Sequence, residues 1–272
     1  MDARYVVGVD GSSPSAAALR WATTRALREH AELVLAHVRD PEAGMMGEDF
    51  AREESLQTSE LLARLVGEVS SAGAKVSTAV LDGPLPTALA DFVTAHDVVV
   101  IGTHKTGFLH GRVLGSRSVQ VASTVPCSVA VIPDIDLRFR RAVVAGVDRV
   151  ETAAEIARVA ATEADSRSED LVIVQADLPR GQSRAELPLG VAVAAARDTF
   201  PSLVIRSRVS GRSAAEMLLD VARDKYLLVI GPGSTSASRS PIGSVLHDVL
   251  LNVNAPVLVT RPVAEGEAAG LD

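Results

Sequence analysis

Two loops of this 272-residue chain carry the residue types from which a binding site for a phosphorylated small molecule can be built. The first reads Asp10-Gly11-Ser12-Ser13. Its Asp10 carboxylate offers acceptor oxygens to hydroxyls such as those of a ribose, and Gly11 lets the backbone turn tightly before a helix. Asp10 equally suits a local role, capping the turn it sits in, and both readings stand at this point. The second loop reads Gly102-Thr103-His104-Lys105-Thr106-Gly107-Phe108-Leu109-His110-Gly111-Arg112-Val113-Leu114-Gly115-Ser116. Its glycines, hydroxyls and following helix make a candidate anion cradle, because free backbone N–H groups and a helix N-terminus both favour phosphate. It is neither a Walker A sequence nor a GxGxxG fingerprint, so a plain connecting loop is the alternative reading.

Other chemistries lack their residues. The six histidines, His30, His37, His96, His104, His110 and His247, form no HExxH pattern and no cluster with carboxylates, so no metal site is expected. His104 and His110 sit in the glycine-rich loop, as ligand contacts or as surface histidines. No GxSxG elbow is present to anchor a serine hydrolase, and neither HxGH nor SGGxDS is present to support nucleotidylyl transfer. Cys127 is the single cysteine, which excludes an intrachain disulfide and a cysteine metal cluster and suits a small inert side chain starting a buried strand.

The elements that must position the two loops follow from composition and periodicity. Hydrophobic residues make up 47% of the chain and aromatics only 3%, so the core is built from Val, Leu, Ile and Ala, as in buried parallel strands covered by alanine-rich helices. The first part of the chain reads as strand (Tyr5 to Val9), helix (Pro14 to His30), strand (Glu32 to Val38) and helix (about Asp49 to Ser71). It continues as strand (Lys75 to Leu81), helix (Pro84 to Ala95), strand (Val98 to Ile101), helix (Ser118 to Ser123 or longer) and strand (Ser128 to Ile132). Ser13 is placed to cap the first helix, with Pro14 at its first position. Such alternation predicts an α/β fold with a parallel sheet, helices on both faces and a ligand crevice at the carboxyl ends of the strands. His37-Val38-Arg39, at the end of the second strand, is a third loop that would reach that crevice.

The pattern occurs twice. Val7-Gly8-Val9-Asp10 returns as Ala145-Gly146-Val147-Asp148, Val98-Val99-Val100-Ile101-Gly102 as Leu227-Leu228-Val229-Ile230-Gly231, and Gly115-Ser116 as Gly243-Ser244. Asp10 and Asp148 are 138 residues apart and Gly115 and Gly243 are 128 apart, so the second copy is shorter by about one loop. Two similar domains are expected, residues 1–135 and 140–263, with a linker near Asp134 to Arg140 and a disordered tail over 264–272. The carboxylate-rich segment from Glu42 to Glu60, with Met45 and Met46, reads as a mobile lid running into a solvated helix start.

Together these loops resemble the universal stress protein family in its tandem form, and the resemblance covers nearly the whole chain. It rests on Val9-Asp10-Gly11-Ser12, on Gly102 and Gly115-Ser116 at the family's glycine spacing, and on Pro126-Cys127 and Ala255-Pro256 before the last strand of each copy. The resemblance implies two flavodoxin-like or Rossmann-like domains, each a five-stranded parallel sheet of order 3-2-1-4-5. It implies ATP or another adenine nucleotide as ligand, with Mg accompanying the phosphates. Asp10 and Gly11 would face the ribose, the Val38 backbone the adenine, and Gly102, Gly115 and Ser116 the phosphates. Lys105 occupies the position of the family's middle glycine, where its ammonium can meet a phosphate. With few aromatics in the chain, aliphatic walls and backbone hydrogen bonds would hold the base.

A second site is implied at Asp148, Gly231, Gly233, Ser234, Gly243 and Ser244. There Arg149 replaces the glycine, Glu151 brings a carboxylate towards the crevice, and Ser234 replaces the middle glycine, with Arg239 available nearby. The first copy is accordingly ranked the better nucleotide site. No general base is identifiable, so a regulatory stress-response binder is expected, with at most slow ATP hydrolysis. The alternative is a dimerisation and interaction scaffold with decayed sites. The last strands, Val129 to Ile132 and Val257 to Thr260, would lie at sheet edges that need covering; the resemblance implies that they pair between the copies as an intrachain pseudo-dimer, which could dimerise again. A net charge of −7 without a Lys/Arg run argues against nucleic acid, and no apolar run approaches a membrane span of about eighteen residues. Met1-Asp2-Ala3-Arg4-Tyr5 lacks a signal-peptide pattern, so a cytoplasmic protein is expected, and the three lysines among 27 basic residues suggest a GC-rich bacterial genome.

Overall fold

The structure, a computed structural model, describes residues 4–39, 48–104, 117–176, 187–233 and 242–261. The first half comprises β1 (Arg4–Gly8), α1 (Ser13–Glu29), β2 (Glu32–Arg39), α2 (Glu48–Ser71), β3 (Val76–Asp82), α3 (Leu85–Phe92), β4 (Val98–Thr103), α4 (Arg117–Thr124) and β5 (Ser128–Pro133). The second comprises β6 (Val143–Gly146), α5 (Val150–Asp165), β7 (Leu171–Ala176), α6 (Pro188–Thr199), β8 (Ile205–Ser210), α7 (Ala214–Ala222), β9 (Leu227–Ile230), α8 (Ser244–Leu251) and β10 (Val257–Val259). The strands form one ten-stranded sheet of order β3-β2-β1-β4-β5-β10-β9-β6-β7-β8. Each half thus keeps the expected order with parallel pairing, and the two half-sheets are continuous rather than separate. The join is the antiparallel pair β5–β10, with Val257 opposite Val131, Leu258 opposite Ala130 and Val259 opposite Val129. The edges that each half would otherwise expose are covered by one another.

Alternation along the strands splits the core into two layers. Tyr5, Val7, Leu33 and Leu35 face α1 and α2, and their counterparts Val143, Leu171 and Ile173 face α5 and α6. Val6, Val34, Val99 and Val129 face the opposite side, under α3 and α4, with Val144, Leu228 and Val257 under α7 and α8. Strands buried on both faces must be apolar at successive positions, which explains the Val-Val-Val and Leu-Leu-Val runs.

Most boundaries shift by a residue or two from the sequence expectation, and three differences have a visible cause. The cap of α1 is Ser12, whose side chain accepts from the Ser15 N–H, and Ser13 is already helical. Helix α3 stops at Phe92 instead of Ala95, because the buried Asp97 carboxylate takes the Thr94 N–H at 2.7 Å and so turns the chain out of the helix. Strand β2 continues through His37, Val38 and Arg39, which pair with Val80, Leu81 and Asp82 of β3 and are therefore ladder rather than loop. The expected lid falls partly outside the described residues, and what is described of it is the start of α2. The expected tail over 264–272 lies outside them entirely.

A polar cluster ties the halves together under the α1 and α5 layer. Glu163 of α5, 1% exposed, accepts from Arg28 of α1 at 2.6 Å and pairs with Arg25 of the same helix. Arg25 in turn donates to the Tyr5 hydroxyl at 2.8 Å and stacks over the Trp21 ring at 5.1 Å. Arg167 lies flat on the Tyr226 ring, 3.3 Å from its centroid. The single tryptophan and both tyrosines of the chain gather at this one place.

Candidate functional site

The β1–α1 turn is shaped by Asp10. Its Oδ1 accepts from the Ser12 N–H at 2.9 Å and from the Ser12 hydroxyl at 2.5 Å, closing a local turn that Gly11 enters with φ +79°. The capping role is therefore real. Asp10 is nevertheless exposed, and the charged form is the one favoured. Burial works to raise its pKa, while the Ser12 hydroxyl and N–H together with Ser15 outweigh that and hold it below the usual carboxylate range. An ionised, solvent-facing carboxylate is a hydrogen-bond acceptor for ligand hydroxyls.

Strand order brings the neighbouring loops to the same end of the sheet. β1 lies between β2 and β4, so Asp10 is flanked by Val38 on one side and Gly102 on the other. His37 secures this arrangement: its Nδ1 donates to the Val9 carbonyl at 2.8 Å, pinning the end of β2 to the end of β1. Its position at the close of an apolar strand was the only sequence signal for it. Val38 is half-buried and packs against the α3 side of the core. Gly102 is required for packing: a Cβ there would lie 2.2 Å from both the Pro14 carbonyl carbon and its oxygen, so only glycine lets β4 end against the first turn of α1. Asp10, Gly11, Val38 and Gly102 are thus brought together. Lys105, Gly115 and Ser116 lie outside the described residues.

The second half shows a formed crevice at the corresponding strand ends. A cavity of about 210 Å³ is lined by Asp148, Gly231 and Gly233 with an apolar wall that includes Val174, Met217, Leu218 and Val245. Gly233, at φ +79°, packs so closely on Gly243 that a Cβ would lie 3.1 Å from the Gly243 Cα, and the Gly243 N–H donates to the Pro232 carbonyl at 3.0 Å. Gly243 caps α8 and Ser244 is its first residue, so the two ends of the loop are tied to each other. Ser234 and Arg239 lie outside the described residues. Arg149 and Glu151, expected to crowd this crevice, are not among its described lining residues. Glu151 is exposed in the first turn of α5.

A larger hollow, of about 540 Å³, lies in the first half between α1 and α2 rather than at the strand ends, and meets the Asp10 turn only through Gly11 and Ser12. Cys127 is buried, and burial pushes its thiol up to about 11, which leaves it protonated and unreactive. Among the described residues no three His, Cys, Asp or Glu side chains come together to hold a metal ion, and no helix is long and apolar enough to cross a membrane.

The family model for the universal stress protein family matches residues 3–133. Over its length the chain is 28% identical, across 285 residues, to universal stress protein Rv2005c of Mycobacterium tuberculosis, with 94% of this chain and 96% of that protein covered. It is 29% identical, across 298 residues, to universal stress protein Rv1996 of the same organism, with 94% of each covered. The crystal structure of a universal stress protein from Archaeoglobus fulgidus superposes with a TM-score of 0.77 at 16% identity, covering 95% of this chain and 98% of that one, which shows a common fold. The motif-bearing first half is thus matched by the model of the universal stress protein family, and the chain is similar to universal stress proteins over both halves.

Proposed function

We propose that the first half binds an adenine nucleotide, ATP or a close relative, at the carboxyl ends of β2, β1 and β4, and that the protein works in the cytoplasm as a regulatory stress-response binder. One observation carries the reading: the ionised, exposed Asp10 carboxylate is held between the ends of β2 and β4, where a parallel sheet presents its ligand crevice. In this reading Asp10 accepts from the ribose hydroxyls, Gly11 and Val38 line the sugar and base, and Gly102 leads into the segment bearing Lys105, Gly115 and Ser116, which would hold the phosphates and any accompanying Mg. The Asp148 crevice is the second, weaker site, its walls apolar and its one described charge negative. Residues 1–135 and 140–263 are the two modules, paired as an intrachain pseudo-dimer.

The test is calorimetric titration of the full chain with ATP, ADP, AMP and cyclic AMP. Saturable binding is expected, weakened about tenfold or more by Asp10→Ala through loss of hydrogen bonds to a charged acceptor. Gly115→Ala should weaken it too, and Asp148→Ala should cost less than Asp10→Ala. Equal effects of the two Asp substitutions would reverse the ranking of the sites. Absence of saturable binding at millimolar nucleotide would sink the nucleotide reading and leave the interaction scaffold, which the β5–β10 pairing favours because that join is complete without a ligand.

A further inference from the structure

The ten-stranded sheet ends in two edges of different character, β8 at one end and β3 at the other. β8 carries Arg206 and Arg208, both exposed. Asp170 holds Arg206 at 2.9 Å, while Arg208 has no ion-pair partner among the described residues. Charge on an edge strand defends it against pairing, because a second copy of β8 laid antiparallel on the first would bring like charges together. β3 has no such defence. It is seven residues long, Val76-Ser77-Thr78-Ala79-Val80-Leu81-Asp82, with no charge before its last residue and no proline.

The ladder to β2 fixes which backbone groups of β3 stay open. The Leu33 N–H donates to the Lys75 carbonyl at 2.9 Å and the Gly83 N–H to the Arg39 carbonyl at 3.3 Å. By the alternation of a parallel ladder, Ser77, Ala79 and Leu81 then turn their backbone groups towards β2. Val76, Thr78, Val80 and Asp82 turn theirs outward, where no strand among the described residues meets them. The side chains of Thr78 and Val80 lie on the α2 side of the sheet and are exposed, Val80 by 44%, so α2 leaves this part of the edge open to another strand.

A strand edge is matched by another strand, and the residues of β3 fit a second copy of themselves. When two copies lie antiparallel about a two-fold axis at Ala79, every outward residue finds a partner: Thr78 opposes Val80 of the second copy, and Val76 opposes its Asp82. Moving the axis to Thr78 or Val80 leaves one outward residue of each strand unpaired. The central Thr–Val pairs are β-branched and favourable across strands. At both ends the exposed Lys75, which has no ion-pair partner among the described residues, comes beside the exposed Asp82 of the other copy. The chain already uses an antiparallel edge pair to join β5 to β10. We propose that β3 is a self-association edge, through which two copies of the chain pair β3 to β3, antiparallel, about a two-fold axis at Ala79. The pairing is isologous and closes at two, leaving the arginine-bearing β8 edges outermost. One strand pair buries less than the roughly 1,000 Å² of a stable interface, so the dimer is weak and depends on concentration. It needs no nucleotide.

The test is sedimentation velocity of the full chain, without nucleotide, from about 1 μM to about 1 mM. A reversible monomer–dimer equilibrium is expected. Val80→Lys, at an exposed position, should weaken it about tenfold or more, since it places two ammonium groups beside the axis. Thr78→Pro removes an outward donor that the β2 ladder does not use and should do the same, with circular dichroism confirming that both variants are folded. Ala79→Cys gives a symmetric register check: the native Cys127 is buried, so mild oxidation should cross-link the dimer through residue 79, whereas Arg208→Cys should not cross-link. In hydrogen exchange, the Thr78 and Val80 amides should be open at low concentration and protected at high concentration. The proposal is overturned if the chain stays monomeric throughout, or if both β3 variants associate as the wild type does. It is equally overturned if Ala79→Cys associates without cross-linking, or if the Thr78 and Val80 amides are already protected in the dilute monomer, which would mean that the chain covers this edge itself.

Discussion

Glycine 102 shows how a single hydrogen atom can decide a local geometry. Replacing it with alanine drives a methyl into the Pro14 backbone, which cannot move without displacing the start of α1, so Gly102→Ala should lower stability by about 1–3 kcal/mol or more, read as a reduced urea midpoint. Gly67 provides the opposite case. It lies exposed within α2 with nothing within 4 Å of its would-be Cβ, and Gly67→Ala should raise stability by about 0.5–1 kcal/mol. Asp97 sets a pH dependence. Burial pushes its carboxyl up, but the Arg4 guanidinium at 2.8 Å and the Thr94 N–H and hydroxyl more than offset this and hold it below the usual range. The stability it contributes is therefore complete above the unfolded-state value of about 3.9 and is lost as pH falls through the lower folded-state value. Acid denaturation of Asp97→Asn should be correspondingly shallower below about pH 4. Asp10 and Gly11 were legible in the sequence because a turn motif is local. The reason for glycine at 102 was not, since its constraint comes from a helix turn almost ninety positions away in the chain.

At the scale of elements, helices and strands were readable where they depend on periodicity and misjudged where a contact outside the element sets its end. Helix α3 stops early for the sake of Asp97, and β2 runs on because β3 supplies partners as far as Asp82. No sequence pattern announced the tie between α1 and α5. The offset of 138 residues that takes Asp10 to Asp148 also takes Arg25 to Glu163, so equivalent positions of the two copies face each other. Two identical copies would set arginine against arginine; divergence has made the contact a salt bridge. Glu163→Ala leaves Arg25 without its buried partner and should cost about 3–5 kcal/mol, whereas Arg28→Ala, at a more exposed position, should cost about 1 kcal/mol or less. Urea titrations followed by circular dichroism measure both. A first half expressed alone should fail to self-associate through this face, and sedimentation would show it.

For the whole molecule, the β5–β10 pair makes one sheet out of two repeats. The sequence revealed the repeat and the parallel alternation of strands and helices, because those follow from periodic patterns, while the order of each half-sheet came from the family resemblance. That the two sheets merge was expected only from the family resemblance, since the register of three residue pairs between two apolar strands is set by their surroundings. If the join makes the halves cooperative, the wild type unfolds in a single transition by every probe. Val259→Pro, which removes a donor that faces β5 in the join and cannot sit in a central strand, should split unfolding into two steps. A single transition in that variant would mean that the halves are held together chiefly by the Glu163 cluster. That cluster has an optical consequence. Because Trp21 is the sole indole and is stacked beneath Arg25, the protein's native emission comes from the joint between the halves and from nowhere else. Any event that loosens or tightens the joint will shift that emission, so the chain carries a built-in, label-free reporter of its own internal pairing.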